Sequence, residues 1–111
     1  MRLQVKGKNV EVTPALREYV EGKLARLGKQ LADQTQVEVE LSEERNPAIA
    51  ASSVAEATIF AKGTTLRARE ASPDPKASVD QLVTKLERQV KRYREKRVEE
   101  PRRRVPDAGG A

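Results

Sequence analysis

Residues 75–98, PKASVDQLVTKLERQVKRYREKRV, decide the fold of this chain and carry its charge. The segment holds eight Lys and Arg residues against three Asp and Glu residues. Residues 1–74 hold eleven basic and eleven acidic side chains, and residues 99–111 hold three of each. The formal net charge of +5 therefore belongs to this one segment.

The apolar residues of the segment recur at the i, i+3, i+4, i+7 spacing of an amphipathic helix. They are Val79, Leu82, Val83, Leu86, Val90 and Tyr93. At roughly 100° per residue, Asp80 and Glu87 fall on one flank of this apolar stripe and a row of cations falls on the other. The row consists of Lys85, Arg88, Arg92 and Lys96. Such a single-sign row suits the phosphates of a polyanion, although a solvated outer face is the alternative interpretation.

Length and composition limit the architecture. A chain of 111 residues, with 37% hydrophobic and 3% aromatic residues, supplies one domain with a thin core, which favours two layers. The N-terminus lacks the apolar run of a signal peptide, and no stretch approaches the roughly 18 apolar residues of a membrane span. We therefore expect a cytoplasmic protein that has no membrane partner.

The side chains that most enzymes use are missing from the chain. It contains no His and no Cys, which removes the usual general base, the thiolate nucleophile and the commonest metal ligands. Its paired carboxylates, such as Glu38 with Glu40, fall on the exposed side of a predicted strand. No phosphate-binding loop or nucleophile elbow is present. We expect no catalysis, no small-molecule substrate, no cofactor and no metal.

Alternation of apolar and polar residues predicts four strands. They are 2–8, 36–43, 54–61 and 64–71. Thr13 before Pro14 predicts the start of a first helix, with Thr13 as its N-cap. The second helix begins either after an Asp74 cap, which we favour, or at a capping box formed by Ser78 and Gln81.

The predicted order is therefore β-α-β-β-β-α, an α+β fold with a four-stranded sheet and both helices on one face. A right-handed crossover makes the first two strands parallel, and the remaining strands are antiparallel. We expect the cationic row of the second helix to join Lys23 and Arg26 of the first helix in one groove. Residues 1–98 form the domain, and 99–111 is a flexible tail or the start of a linker.

Three aromatic residues are candidates for stacking on bases. Tyr19 and Tyr93 lie at helical spacing beside apolar residues, which favours the rim of the core. Phe60 is predicted on the open face of the sheet, near Arg67 and Arg69, where it resembles a small nucleic-acid platform. In the tail, 102–104 is an arginine run that either docks on phosphate or keeps the tail soluble.

Two motifs give the chain a family resemblance. The segment 9–27, NVEVTPALREYVEGKLARL, and the segment 78–92, SVDQLVTKLERQVKR, resemble the ribosome hibernation promoting factor family, which includes the ribosome-associated inhibitor A. The likeness covers roughly residues 1–97. Many relatives open the second helix with Asp-Met-Tyr-Ala-Ala-Ile-Asp, whereas this chain has Pro75 and Lys76 in place of Met-Tyr.

The resemblance implies a β-α-β-β-β-α domain in the decoding channel of the small ribosomal subunit. There it obstructs messenger RNA and transfer RNA and silences ribosomes in starved or stationary cells. The residues that would face ribosomal RNA are Lys23, Arg26, Lys85, Arg88, Lys91, Arg92 and Lys96. Longer relatives continue through a linker into a second domain that pairs two ribosomes, so ribosome dimers would follow if this protein carries such a domain.

Two alternatives remain open from the sequence. One is a double-stranded RNA-binding module, whose element order is similar. The other is a salt-sensitive, self-associating interaction domain that pairs the acidic face of strand 36–43 with the basic helix. An enzyme acting on acidic substrates ranks last, because no side chain suits proton transfer near neutral pH.

Overall fold

The computed structural model describes the backbone of residues 1–110 and the side chains of residues 1–96. Its elements are β1 (Arg2–Gly7), α1 (Pro14–Gly28), β2 (Gln36–Glu43), β3 (Ser53–Ala61), β4 (Thr64–Ser72) and α2 (Pro75–Gly110). The predicted element order is confirmed, and the predicted strand limits differ from these by one residue at most. The expected tail, 99–111, lies outside the residues whose side chains are described, so the tail stays a prediction.

The four strands form one sheet in the order β1-β2-β3-β4. β1 is parallel to β2, and the other two pairings are antiparallel, as the crossover rule predicts. One register row runs across the whole sheet as Val5, Val39, Ala57 and Ala68, all of them buried. This row shows that each strand turns its apolar positions to the same face.

Both helices cover that apolar face. α1 packs over β1, α2 packs over β3 and β4, and the two helices contact each other. The helices contribute seven apolar residues with no exposed surface among the described side chains. These are Val20, Leu24 and Leu27 from α1, and Val79, Leu82, Leu86 and Val90 from α2. The open face of the sheet carries polar side chains and Phe60, which is 43% exposed. The expected two-layer architecture is confirmed.

Both helix starts follow their capping residues. The Thr13 side chain accepts a hydrogen bond from the Leu16 amide at 3.2 Å, and Pro14 occupies the first turn. At the start of α2, Asp74 Oδ2 accepts from the Ala77 amide at 3.2 Å, which confirms the favoured cap. The alternative capping box is wrong, because α2 already begins at Pro75 and the Ser78 hydroxyl bonds other groups.

Ser78 instead joins α2 to the sheet. Its Oγ donates to the Ser53 carbonyl at 2.6 Å and lies 2.7 Å from Ser72 Oγ. Buried hydroxyls are stable only when they are hydrogen-bonded, so these contacts fix the first turn of α2 against β3 and β4.

Side chains of the helices cap the outward carbonyls of both edge strands. On β1, the Val5 carbonyl accepts from Arg17 Nη1 at 3.1 Å. On β4, the Arg67 carbonyl accepts from Gln89 Nε2 at 2.9 Å, and the Arg69 carbonyl accepts from Lys85 Nζ at 3.3 Å. Free edges invite pairing with other strands, and these contacts obstruct it. They also hold one flank of α2 against β4.

A polar contact joins the two helices. The Tyr19 hydroxyl donates to Asp80 Oδ1 at 2.6 Å, and Lys23 Nζ lies 3.5 Å from the same oxygen. The ammonium groups of Lys23 and Lys76 lie 5.5 Å and 5.3 Å from the centre of the Tyr19 ring, within cation–π range. The hydrogen bond to Asp80, followed by desolvation and the charges of Asp80 and Asp74, raises the pKa of Tyr19 above its ordinary value.

The raised pKa of Tyr19 predicts an alkaline transition. A phenol whose pKa is higher in the folded state stabilises the fold below its unfolded pKa of about 10. That contribution is lost as the pH rises through the folded value. We expect the phenolate absorbance of the wild type minus that of Tyr19→Phe, measured against pH, to have its midpoint above the ordinary pKa of tyrosine. A difference titration with a midpoint at or below that value would contradict the contact with Asp80.

Two glycines form a matched pair for testing the packing. A Cβ at Gly7 would lie 2.1 Å from the Val10 carbonyl oxygen, whereas a Cβ at Gly22 on α1 would meet nothing within 4 Å. We expect Gly7→Ala to lower the free energy of unfolding by about 1–3 kcal/mol through overpacking. Gly22→Ala should raise it by up to about 1 kcal/mol through helix propensity. Urea unfolding measures both, and equal effects would contradict the close approach at Gly7.

Candidate nucleic-acid interface

The cations predicted from the sequence are all exposed, and all lie on the two helices. They are Lys23 and Arg26 on α1, and Lys85, Arg88, Lys91, Arg92 and Lys96 on α2. Helices position charges more firmly than loops do, because their backbone hydrogen bonds are satisfied internally. The fold therefore offers these cations to solvent from a rigid layer.

The expectation of one shared groove is wrong. α1 lies against the flank of α2 that carries Asp80 and Glu87, and the opposite flank of α2 faces β4. The bond from Tyr19 to Asp80 and the pair between Lys23 and Asp80 hold this arrangement. The predicted cations consequently divide between two grooves, one on each side of α2.

The first groove, the interhelical groove, lies between α1 and α2 and has a volume of about 530 Å³. Lys23 and Arg26 line it together with Asp80, Thr84 and Glu87. At Thr84 and Glu87 it continues into a depression of about 320 Å³. That depression is lined by Gln30, Thr84, Glu87, Arg88 and Lys91. Four cations here share their surroundings with two carboxylates, so the positive potential is partly compensated.

The second groove, the hairpin groove, lies between α2 and the β3–β4 hairpin and has a volume of about 810 Å³. Arg92 and Lys96 line it from α2, and Lys62 and Arg67 line it from the hairpin. The described residues that line this groove include no carboxylate. Among the described residues, the hairpin groove therefore has the less compensated positive charge of the two.

Lys85 belongs to the β4 side but is already engaged. Its ammonium lies 3.1 Å from Glu70 Oε1 and donates to the Arg69 carbonyl at 3.3 Å. About half of the Lys85 side chain is exposed, so solvent weakens this ion pair. Of the seven predicted cations, Lys85 and Lys23 form ion pairs among the described side chains. For both lysines, a phosphate competes with the carboxylate partner.

The three aromatic residues have the burial that the sequence predicts. Tyr19 and Tyr93 are half-buried, and their hydroxyls donate to Asp80 and to the Lys62 carbonyl, the latter at 3.1 Å. Phe60 is exposed on the open sheet face, directly opposite Thr65 on β4. One aromatic residue on that face leaves the two grooves as the main candidate surfaces.

Lys62 was missing from the predicted binding residues, and Arg67 was predicted only beside Phe60 on the open sheet face, not with the helical cations. They lie on different elements from the helical cations, so no periodicity connects them with Arg92 and Lys96. The available signal was the Lys62-Gly63 turn, where Gly63 adopts a φ of 81° and reverses the chain beside α2. That turn brings the two hairpin cations next to the second helix.

Two further properties concern the described residues alone. Within this part of the chain, no cluster of three or more His, Cys, Asp or Glu residues could hold a metal ion. None of its helices combines the length and hydrophobicity that a membrane span needs.

Comparisons with known proteins agree on one family. The family model described as sigma 54 modulation protein / S30EA ribosomal protein matches residues 3–98. A ribosome hibernation promotion factor of Picosynechococcus is 39% identical over 97 residues, which cover 86% of this chain and 50% of that protein. A ribosome hibernation promotion factor of Lactococcus lactis is 37% identical over 110 residues, which cover 96% of this chain and 56% of that protein. The chain thus spans about half the length of these two relatives.

Shorter relatives and solved structures match over nearly their whole length. A ribosome hibernation promoting factor of Salmonella typhimurium is 35% identical, and the match covers 96% of it. The N-terminal domain of Thermus thermophilus Protein Y superposes with a TM-score of 0.71 at 35% identity, over 84% of this chain and 99% of that one. A ribosomal subunit interface protein of Coxiella burnetii superposes with a TM-score of 0.73 at 28% identity, over 86% of this chain and 99% of that one. The chain therefore belongs to the sigma 54 modulation protein / S30EA ribosomal protein family, as the resemblance to ribosome hibernation promoting factors indicates.

Proposed function

We propose that this domain binds the small ribosomal subunit at the decoding channel and silences translation there. It obstructs messenger RNA and the anticodon ends of transfer RNA in starved or stationary cells. Relatives named as ribosome hibernation promoting factors support the proposal, as does one named as a ribosomal subunit interface protein. The observation that carries it is the exposed cationic surface of α1 and α2.

The mechanism is steric occlusion held by phosphate contacts. Lys and Arg side chains that approach RNA release the counterions condensed on its backbone, and this release drives binding. The two-layer core holds the cations in place, so binding needs little reorganisation of the protein. No covalent step is required, in keeping with an inhibitor that is not an enzyme.

The cations differ in their readiness to bind phosphate. Arg26, Arg88 and Lys91 are exposed and form no ion pair within the described part of the chain. Lys23 and Lys85 are paired with Asp80 and Glu70. Exposed pairs contribute only about 0–1 kcal/mol, so both lysines stay available at a modest cost. Arg92 and Lys96 are also unpaired among the described side chains, but they lie in the hairpin groove. We therefore assign the main contacts to the three unpaired cations on the α1 side of α2, Arg26, Arg88 and Lys91, and further contacts to Arg92 and Lys96.

The alternative of self-association has less support. It needs a strongly negative face on β2, but Lys6 on β1 lies 3.8 Å from Glu38 and 3.9 Å from Glu40. This lysine reduces the negative charge that a second copy would meet. A double-stranded RNA-binding module has no specific observation in its favour, and it is distinguished below by a free RNA duplex.

Pairing of two ribosomes belongs to a longer protein in this proposal. The chain spans about half the length of the first two relatives. A second domain in a longer form would supply the contact between ribosomes, while residues 1–98 would supply the contact with one subunit.

Removing the three unpaired cations on the α1 side of α2 should weaken binding in a salt-dependent way. We expect the triple variant Arg26→Gln, Arg88→Gln, Lys91→Gln to lose three phosphate contacts. The slope of log affinity against log salt for purified small subunits should then fall by about 2 to 3. The measurement is co-sedimentation over a salt series.

The control for this variant removes three charges far from α2. Arg2→Gln, Lys8→Gln, Arg45→Gln changes exposed residues of β1, of the β1–α1 connection and of the β2–β3 connection, and its slope should match the wild type. An unchanged slope in the first triple variant would end the proposal. Equal affinity for a short free RNA duplex and for the subunit would favour the double-stranded RNA module.

Substitution of Lys85 should mainly affect stability and substitution of Arg88 should mainly affect binding, because only the Lys85 side chain forms contacts within the fold. Lys85→Gln removes the contacts with Glu70 and the Arg69 carbonyl, so it should lower the free energy of unfolding by about 0.5–1 kcal/mol. Arg88→Gln should stay within about 0.5 kcal/mol of wild type and should weaken subunit binding more than Lys85→Gln does. Urea unfolding and co-sedimentation of both variants check this, and a reversed order of the two affinities would refute the assignment.

A further inference from the structure

The open face of the sheet separates its charges by strand. Alternate residues of each strand lie on this face, opposite the buried apolar row and the two helices. On β2 the charged residues are Glu38 and Glu40, and on β4 they are Arg67 and Arg69. Glu38 shares a register row with Arg67, and Glu40 shares one with Arg69. The face therefore has an acidic strand and a basic strand on either side of β3.

The two arginines have no partner inside the described part of the chain. Their side chains are exposed and form no ion pair or hydrogen bond there. Their carbonyls accept from Gln89 and Lys85 of α2, which fixes the backbone of β4 while the guanidinium groups lie on the other face. A guanidinium binds a carboxylate through two parallel hydrogen bonds. Arg67 and Arg69 are therefore available to carboxylates of another molecule.

Phe60 adds an apolar contact to the same face. It lies on β3 and is 43% exposed, between Gln36 of β2 and Thr65 of β4. These two neighbours in the register row carry no charge. Aromatic residues and arginine are enriched at protein interfaces relative to the rest of the surface. The face thus combines an exposed ring with unpaired guanidinium groups, which is typical of a protein contact.

A two-fold axis along β3 makes this face complementary to itself. Since β2 and β4 are the two neighbours of β3, such an axis sets β2 of one copy over β4 of the other. Glu38 then faces Arg67 of the second copy, Glu40 faces Arg69 of the second copy, and the symmetry repeats both pairs. Phe60 meets Phe60 of the second copy. Stacked sheets lie about 10 Å apart with strand directions within about 30° of each other, a gap that Glu and Arg side chains span together.

One like-charge contact opposes this arrangement. Glu56 on β3 faces Glu56 of the second copy, but Arg69 lies directly opposite it in the register of each chain. Lys6 also competes for the acidic strand, at 3.8 Å from Glu38 and 3.9 Å from Glu40. Both of these pairs are exposed and hence weak, and each carboxylate needs to meet only one arginine. Pairs of opposite charge therefore outnumber pairs of like charge across the contact.

This contact differs from a pairing of β2 with the basic helix. α2 lies on the other side of the sheet, so that pairing joins two different surfaces and does not close on two copies. Here a single face supplies both the carboxylates and the arginines. The helices remain uncovered, so the proposed contact with the ribosome stays available, and either proposal can fail without the other.

From these observations we propose that the open sheet face is a self-association surface through which two copies of this chain form a two-fold dimer. The acidic and basic strands set the alignment, and Phe60 supplies the apolar contact. Only three strands of each copy overlap, which gives a small interface with few buried apolar atoms. We therefore expect a weak dimer with a Kd of about 10⁻⁴ M.

Sedimentation equilibrium of the purified chain tests the proposal. At an ionic strength of about 0.15 M, repulsion between the net charges of +5 is screened beyond about 8 Å, whereas the contacts across the interface are closer. We expect the mass to rise from monomer towards dimer between about 10 μM and about 1 mM protein. Phe60→Ala should raise the Kd by about threefold or more. A monomer mass throughout the series would overturn the proposal.

Two charge reversals identify the contact. Glu38→Arg places a like charge against Arg67, and Arg67→Glu places one against Glu38, so each variant alone should raise the Kd about tenfold or more. Mixed in equal amounts, the two variants regain opposite charges at both positions. The mixture should associate with a Kd within about threefold of the wild type. Association of the wild type without this recovery would assign the contact to another surface and contradict the proposal.

The matched control is Arg2→Glu, which makes the same charge change on the same face at β1, outside the overlap. Alone it should keep the Kd within about threefold of the wild type, and mixed with Glu38→Arg it should not restore association. Recovery in this mixture would mean that association follows net charge, which contradicts the aligned contact. Glu40→Arg and Arg69→Glu form a second pair of variants with the same logic, if an amide NMR spectrum shows that either of the first pair is unfolded.

Discussion

The fixed rotation of α2 about its own axis governs the surface of this protein. Its apolar stripe is buried on β3 and β4, and Asp80 on one flank binds Tyr19 and Lys23 of α1. On the other flank, Lys85 and Gln89 bind carbonyl oxygens of β4. Since three sides of the helix are engaged, the side of α2 on which each cation of residues 76–96 lies is determined.

This arrangement produces two cationic surfaces of different character. The interhelical groove mixes cations with Asp80 and Glu87, so its potential is moderate and its pattern of charges is specific. The hairpin groove is lined by cations without carboxylates among its described residues, so its potential is stronger. A folded RNA, which presents phosphates at irregular spacings, can be matched by the first surface.

Much of the fold was readable from the sequence because each element carries a strong local pattern. Alternation predicted the strands, the apolar stripe predicted the buried side of α2, and the Thr13 and Asp74 caps predicted the helix starts. The sequence did not predict which element packs against each flank of α2, that is, α1 against the flank with Asp80 and β4 against the flank with Lys85. It depends on the direction in which α2 crosses the sheet after β4, which is set by tertiary packing. For the same reason Lys62 was missed, and Arg67 was associated with Phe60 alone, since only folding brings the hairpin to the side of α2 that carries Arg92.

The central claim is that the α1–α2 side of the domain faces ribosomal RNA, and site-specific photo-crosslinking tests it most directly. Thr84 lies in the interhelical groove, and Thr58 lies opposite Glu38 and Arg67 on the open sheet face. A photoreactive side chain at Thr84 should crosslink to RNA of the small subunit, while the same group at Thr58 should crosslink weakly or not at all. Strong crosslinks from Thr58 together with none from Thr84 would contradict the account.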